Sequence, residues 1–377
     1  MSEVGKRVFL TGASGFICTH IVKILVDVSS FFPATVSDHL PRHVNSIQKG
    51  YQIVATVRSP PKAEAIFALH PDWKGKVDFV YVPDIAAPGA FDEVIKADKI
   101  GFHYIIHTAS PVSFAVKDVK KDLIDPAVRG TTELMKAVHE YGGPQIKRFI
   151  LLGSAVAILD SNQDITVAGK DYTEDDWNPV TVEEAVKTQS PVLGYNVGKK
   201  LAEKAAWEFL ATEKPVFDLT VINPDIIIGP MLQPVDGPKH VNETNNFACY
   251  NFFNGTYKDI TKLTFPFYHF VDVREVALAH VLSLTASKAS NQRIILVSGL
   301  ITPQLVANLI RKNFPQLHDR VDEGNPPQVL PKDVQPTGWN ASKSHEIFGG
   351  EWEYKGLEES LVGTVKNILE WEKKWGI

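Results

Sequence analysis

The first 230 residues alternate between short apolar runs and longer segments whose apolar positions recur every three to four residues. A continuous apolar run of about five residues indicates a strand buried on both faces, whereas the wider spacing indicates an amphipathic helix. This alternation predicts an α/β fold, a doubly wound parallel sheet with helices on both faces. The predicted strands are Arg7–Thr11, Gln52–Val57, Val77–Val82, Tyr104–Thr108, Arg148–Leu152 and Leu219–Asn223, with helices at Phe16–Val26, Pro126–Tyr141 and from Lys199 onward.

The pattern changes after Pro230. Residues 231–254 are irregular and rich in Asn, Pro and Gly, and an aromatic run and an Ala-rich helix follow. A strand at Arg293–Val297 is expected to return to the sheet or to its neighbour, and an amphipathic helix at about Leu357–Lys373 closes the chain. We predict a main sheet domain over 1–230 and a smaller, discontinuous lobe over 231–377, interleaved with returning sheet elements near 265–300.

Residues 29–47 delay the second strand. Pro33 and Pro41 forbid a simple helix there, so we predict an inserted surface loop. His39 and His43 have the spacing of a metal-binding pair on a helix, but Pro41 lies between them and no Cys or third His is near. We therefore predict no metal site.

Composition narrows the function classes. With 377 residues and 44% hydrophobic content, the chain can bury a large core. The net charge of -5 and the absence of a basic stripe argue against binding to nucleic acid or a membrane surface. Two cysteines imply no disulfide framework, and no signal sequence or membrane-spanning apolar run is visible. We expect a cytoplasmic protein.

A glycine-rich turn joins the first strand to the first helix. Gly12 and Gly15 permit a tight turn that brings backbone N–H groups to a phosphate at the helix N-terminus. This is the dinucleotide fingerprint of a Rossmann-type fold, with Cys18 at the third position, where Gly or Ala is usual. An acidic residue after the second strand favours NAD, whereas Arg accommodates a 2′-phosphate. Arg58 at that position, with Lys62 just beyond, predicts NADPH.

Tyr195 and Lys199 are candidates for acid–base chemistry. Four residues apart, they lie on one helix face, one turn from each other. A cation about 4 Å from the phenol, at an effective dielectric of 20, contributes roughly 4 kcal/mol, up to about three pKa units. Such a pair alone is usually a solvated helix face. Ligands of parallel sheets bind beyond the carboxyl ends of strands, where the sequence places Gly12, Arg58, Asp84, Ser110, Ser154 and Pro224.

Together these motifs carry a family resemblance. They are the segments 11–17 and 107–111, Ser154, Tyr195 with Lys199, 223–230 and 271–274. The chain resembles the extended short-chain dehydrogenase/reductases, and more closely the fungal NADPH-dependent methylglyoxal and carbonyl reductases, relatives of plant dihydroflavonol reductase. Apart from 29–47, the resemblance covers nearly the whole chain.

The resemblance implies an NADPH-dependent oxidoreductase that reduces aldehydes or ketones to alcohols by hydride transfer. Tyr195 would protonate the developing alkoxide. Lys199 would lower the pKa of Tyr195 and hold the nicotinamide ribose. Ser154 would hydrogen-bond the carbonyl oxygen. The family commonly has two serines here, where this chain has Gly153-Ser154.

The resemblance also implies the cofactor contacts. The implied positions are Gly12, Ser14, Gly15, Phe16 and Ile17 at the pyrophosphate, Arg58 and Lys62 at the 2′-phosphate, Asp84 and Ile85 at the adenine, Thr108, Ala109 and Ser110 on the ribose side, and Pro224 and Ile227 at the nicotinamide, with Tyr195 and Lys199. An apolar substrate pocket is predicted from side chains beside these elements, some of which could instead be core: Val112, Phe114, Leu159, Val192 and Ile226.

Two alternatives stay open. A sugar-nucleotide epimerase or dehydratase of the same fold would keep Tyr195 and Lys199, but would need tightly held NAD and polar residues where Val112, Phe114 and Met231 stand. A non-catalytic NADP(H)-sensing regulator would keep the glycine-rich turn and commonly lose the Tyr-Lys pair. The expected partner is a small carbonyl substrate. The substrate's identity, the product stereochemistry and the choice between monomer and homodimer stay open.

Overall fold

The computed structural model describes residues 5–30, 50–110, 116–349 and 352–377. The predicted insertion therefore lies outside the described residues, apart from Ser29 and Ser30. The strands are β1 (Arg7–Thr11), β2 (Gln52–Val57), β3 (Val77–Tyr81), β4 (Tyr104–His107), β5 (Arg148–Leu152), β6 (Asp218–Pro224), β7 (Ile226–Ile228), β8 (His269–Asp272), β9 (Gln292–Leu296) and β10 (Gly299–Leu300). The helices are α1 (Phe16–Ser30), α2 (Pro60–Leu69), α3 (Asp92–Ala97), α4 (Asp125–Tyr141), α5 (Val182–Thr188), α6 (Pro191–Glu213), α7 (Glu243–Ala248), α8 (Val273–Ser283), α9 (Pro303–Asn313), α10 (Ser342–Phe348) and α11 (Leu357–Trp375).

The main sheet has seven strands in the order β3-β2-β1-β4-β5-β6-β9. All its neighbouring strands run parallel. Alternate residues of β1 face opposite sides, so Val8 and Leu10 pack with α1 and α8, while Phe9 packs with α3, α4 and α6. The sheet is therefore covered on both faces, and the predicted doubly wound α/β fold is confirmed.

A second, three-stranded sheet has the order β10-β8-β7. With α7, α9 and α11 it encloses a separate apolar core. Strand β9 instead pairs with β6 in the main sheet, so the late part of the chain contributes to both sheets. The division of the chain at residue 230 stays a prediction.

Several element boundaries differ from the sequence prediction. Helix α1 continues to Ser30 rather than Val26, because no Pro or Gly interrupts it before Pro33. Helix α6 begins at Pro191 rather than Lys199. Pro suits the first turn of a helix, and the Ser190 side chain accepts a hydrogen bond from the Leu193 backbone N–H at 3.3 Å. Helix α7 lies in a segment predicted to be irregular.

Candidate active site

A cleft opens where the strand order reverses. Strand β1 lies beside β4, although β2 and β3 come between them in sequence. Ligands of doubly wound sheets bind in the crevice at such a point. A cavity of about 390 Å³ lies there. Its lining includes eleven of the residues predicted to bind cofactor: Gly12, Ser14, Gly15, Phe16, Ile17, Arg58, Lys62, Ile85, Thr108, Ala109 and Ser110.

The glycine-rich turn brings two strand ends into close contact. Gly12 has a φ of +81°, and a Cβ there would lie 3.2 Å from the backbone N of Ala109. The Gly12 N–H donates to Thr56 Oγ1 at 3.2 Å, and the Gly15 N–H donates to the Gly12 carbonyl at 2.8 Å. A side chain at position 12 would crowd Ala109 just after β4, and the positive φ would strain its backbone. The turn opens into the N-terminus of α1, a favourable place for a phosphate group.

Thr11 ties the end of β1 to the end of β4. Its Oγ1 accepts hydrogen bonds from the backbone N–H groups of Thr108 at 3.2 Å and Ala109 at 3.1 Å. It also lies 2.8 Å from His107 Nδ1. The Thr108 hydroxyl donates to the Thr11 carbonyl at 2.6 Å. These bonds fix the backbone that forms one wall of the cavity.

Sequence reasoning missed part of this wall. Thr11 appeared only within a family motif, although a polar residue that ends an apolar strand is a usable signal. Thr56 is a polar residue one position before the end of β2. The lining residues not predicted are Cys18, Thr56, Val57, Val82 and Leu152.

The two cations predicted to hold a 2′-phosphate lie together at the end of β2. Arg58 and Lys62 are exposed and line the cavity, Arg58 before α2 and Lys62 in its first turn. Asp84 is exposed and does not line this cavity. Its Oδ1 accepts a hydrogen bond from the Ala86 N–H at 2.9 Å, which stabilises the turn after β3. The lining likewise lacks Tyr195, Lys199, Pro224 and Ile227.

The three proposed catalytic residues come from two neighbouring elements. Ser154 follows β5, and Tyr195 and Lys199 lie one turn apart on α6. The side chains of Ser154 and Tyr195 are hydrogen-bonded to each other. The backbone N–H of Ser154 donates to Asn223 Oδ1 at 2.8 Å, and Lys199 Nζ donates to the Leu152 carbonyl at 2.8 Å. All three side chains therefore converge near the ends of β5 and β6.

Burial sets the electrostatics of this group. It raises the pKa of the Tyr195 hydroxyl, against a smaller lowering by the Ser154 hydrogen bond. It also lowers the pKa of Lys199 to about 8, against the opposing charge of Glu203. The expected lowering of the Tyr195 pKa by Lys199 is not the net direction here. Loss of hydration has the largest effect on the pKa of Tyr195, and the Lys199 ammonium donates to the Leu152 backbone carbonyl.

The predicted substrate pocket is described only in part. Val192 lies on α6 and is 48% exposed, three residues before Tyr195. Leu159 and Ile226 are each 5% exposed and pack into two different apolar clusters. Val112 and Phe114 lie outside the described residues. The pocket therefore stays a prediction.

Comparison with known proteins places this architecture in a family. The model of the NAD dependent epimerase/dehydratase family matches residues 8–298. The chain belongs to this family. The match includes the glycine-rich turn, Ser154, Tyr195 and Lys199, and the prediction of an extended short-chain dehydrogenase/reductase is confirmed.

Relatives match over almost their whole length. A ketoreductase of Aspergillus niger is 33% identical, with 98% of this chain and 99% of the relative covered. An NADPH-dependent methylglyoxal reductase of Saccharomyces cerevisiae is 29% identical, covering 97% and 98%. The crystal structure of yeast methylglyoxal/isovaleraldehyde reductase complexed with NADPH superposes with a TM-score of 0.82 at 28% identity, covering 97% and 99%.

Two further features bear on partners. Within the described ranges, no helix combines the length and apolarity needed to cross a bilayer. The same ranges contain no group of three or more His, Cys, Asp or Glu side chains arranged to hold a metal ion. His39 and His43 lie outside them.

Proposed function

We propose that this protein is an NADPH-dependent carbonyl reductase that converts aldehydes and ketones to alcohols, with Tyr195 as the proton donor. The observation that carries the proposal is the hydrogen-bonded Ser154–Tyr195 pair, with Lys199 one helical turn away. The relatives named as reductases support the reaction class.

The cavity lined by the glycine-rich turn, Arg58 and Lys62 has features that suit a dinucleotide. Gly12 and Gly15 line this cavity, and a glycine-rich turn lets backbone N–H groups approach a pyrophosphate closely. Arg58 and Lys62 offer two positive charges at the end of β2, where a 2′-phosphate is read in this fold. Thr108, Ala109 and Ser110 would hold the ribose side. When bound, NADPH supplies the hydride that reduces the carbonyl carbon.

The residues of the chain manage the proton and the developing negative charge. Ser154 and Tyr195 both donate to the carbonyl oxygen, which stabilises charge as it forms there. Tyr195 then transfers its hydroxyl proton to that oxygen and becomes a phenolate. Lys199, as a cation, stabilises the phenolate. Because burial raises the pKa of Tyr195, the hydroxyl carries its proton near neutral pH.

Turnover of NADPH tests the proposal. We expect the absorbance of NADPH to fall when methylglyoxal, isovaleraldehyde or an aryl ketone is added to the purified protein. Replacing the proton donor in Tyr195→Phe should lower kcat by about 10²–10⁴-fold while NADPH still binds. No oxidation of NADPH by any member of a broad carbonyl panel, with cofactor bound, would refute the activity. Full activity of Tyr195→Phe would refute the role of Tyr195.

An epimerase or dehydratase is the second candidate, since the family's name includes both. Such an enzyme would regenerate its cofactor in each cycle and would show no net NADPH oxidation. The exposed cations Arg58 and Lys62 in the cavity favour NADPH over NAD and so favour the reductase. A cytoplasmic location, a monomeric or homodimeric state and the absence of a nucleic-acid partner remain predictions from the sequence.

A further inference from the structure

A buried carboxylate lies one turn beyond Lys199 on α6. Glu203 is fully buried, and its spacing of four residues puts it on the same helix face as Lys199. The two side chains line one small cavity of about 10 Å³, roughly the room of a single water molecule. Burying a carboxylate is costly unless it is paired, and Glu203 takes no part in the proton transfer proposed above.

Glu203 is held rigidly by its neighbours. Arg293 Nε donates to Glu203 Oε1 at 2.5 Å, and Trp207 Nε1 donates to the same oxygen at 3.2 Å. The Arg293 guanidinium in turn lies 3.7 Å from the centroid of the Trp177 ring and donates to the carbonyl of Asp176 at 2.7 Å. These contacts join α6 to β9 and fix the position of the carboxylate.

The other groups around Lys199 carry little charge near neutral pH. Burial lowers the pKa of His107 on β4 to about 3 and that of His280 on α8 to about 4, so both rings are neutral. Tyr195 is neutral because burial raises its pKa. Arg293 is positively charged and forms an ion pair with Glu203. Two groups favour the cation: the charge of Glu203 raises the pKa of Lys199, and the Leu152 carbonyl accepts a hydrogen bond from Lys199 Nζ at 2.8 Å.

We infer that Glu203 is a positioning residue, whose carboxylate holds Lys199 in its cationic form beside Tyr195. Burial opposes the cation, and the fixed negative charge one turn away offsets that effect. Arg293 limits this effect by sharing the carboxylate. The inference rests on the proposed function, since it assigns Lys199 the task of stabilising the Tyr195 phenolate.

A direct titration of Lys199 tests this role without relying on turnover. The full-length protein is labelled with ¹³C at the lysine Cε, and the Lys199 signal is identified by its loss in Lys199→Arg. We expect the pKa of Lys199 to fall by about one unit or more in Glu203→Gln. Glu208→Gln, which removes an exposed carboxylate of the same helix, should leave it unchanged. An unchanged Lys199 pKa in folded Glu203→Gln would overturn the inference.

Arg293→Gln gives a second, opposite measurement. It removes the cation that shares the carboxylate, so the pKa of Lys199 should rise, whereas a fall or no change contradicts the proposal. In Glu203→Gln, the alkaline decline of kcat for carbonyl reduction should begin at a lower pH than in the wild type. Glu203→Asp should restore the wild-type dependence of kcat on pH. A purely structural role would lower the stability of Glu203→Gln, Glu203→Asp and Arg293→Gln. It would not shift the pKa of Lys199 in opposite directions in Glu203→Gln and Arg293→Gln. If no carbonyl is turned over, the proposed function fails while the titration still decides this inference.

Discussion

Replacing Gly153 with serine, which is common at this position in the family, should lower both the stability and the kcat of this protein. Gly153 follows β5, and a Cβ there would lie 2.0 Å from Asn223 Oδ1 and 2.8 Å from Val221 Cγ1. Asn223 is fully buried, and its Oδ1 accepts the hydrogen bond from the Ser154 backbone N–H. Gly153→Ser therefore forces apart the contact that holds Ser154 in place.

The expected cost has two parts. Forcing extra atoms into a packed interior costs about 1–3 kcal/mol, because neighbours leave their preferred rotamers. Loss of the bond between Asn223 and the Ser154 N–H adds about 1 kcal/mol. The variant should thus lose about 2–4 kcal/mol of unfolding free energy. A displacement of Ser154 of about 1 Å should also lower kcat by about 10²-fold, since the hydrogen-bond geometry to the carbonyl oxygen is lost.

Chemical denaturation and steady-state kinetics measure the two effects on the same protein. The kinetics are run where both proteins are fully folded, so that stability and kcat are separated. Gly198→Ala is the matched control, because a Cβ at position 198 meets its nearest described neighbours at 3.5 Å, an ordinary contact. A Gly153→Ser enzyme with wild-type kcat and stability would refute the proposed link from Asn223 to Ser154.

Three further predictions follow from the geometry. In α6, Gly198→Ala should stabilise the fold by about 0.5–1 kcal/mol. Gly194→Ala should destabilise it by about 1–3 kcal/mol, because the new Cβ would lie 2.3 Å from Val119 Cγ1. Thermal unfolding of both variants measures this difference. Arg58→Ala should raise the KM for NADPH roughly tenfold and leave that for NADH unchanged; equal changes for both cofactors would contradict the 2′-phosphate role. Burial raises the folded-state pKa of Asp225 to about 7, above its unfolded value, so the wild-type protein should lose stability as pH rises from about 4 to 7. The unfolding free energy of Asp225→Asn, measured across that range, should therefore rise relative to that of the wild type. A difference that stays constant with pH would contradict this prediction.

Much of the fold follows from patterns that are local in the sequence. Strands β1, β2 and β5 have the predicted bounds, because each contains the run of apolar residues that a buried parallel strand needs. Strands β7 and β10 are only three and two residues long, too short to produce such a pattern. Their pairing with β8 depends on contacts distant in the chain, which a local pattern does not encode.

The residues of the candidate site likewise fall into those that local motifs predict and those that only the packing shows. The glycine-rich turn and the Tyr-Lys spacing are short motifs with a direct physical meaning, so they were visible in the sequence. The role of Asn223 was not, because its partner Ser154 lies 69 residues away. Neither was the contact between Glu203 and Arg293, which joins residues 90 apart. Both are polar side chains at buried positions, and such positions are recognised only once the packing around them is known.

The proposed catalytic groups are fixed to the backbone of the sheet rather than to the loops above it. Asn223 of β6 holds the backbone of Ser154, and Lys199 donates to the carbonyl of Leu152 in β5. The chemistry is therefore tied to parts of the molecule that cannot move without disrupting the core. Val192 differs from these residues, because its side chain is exposed and is not part of the buried core. We therefore expect substitutions at Val192 to alter KM among carbonyl substrates while kcat for the preferred substrate changes little.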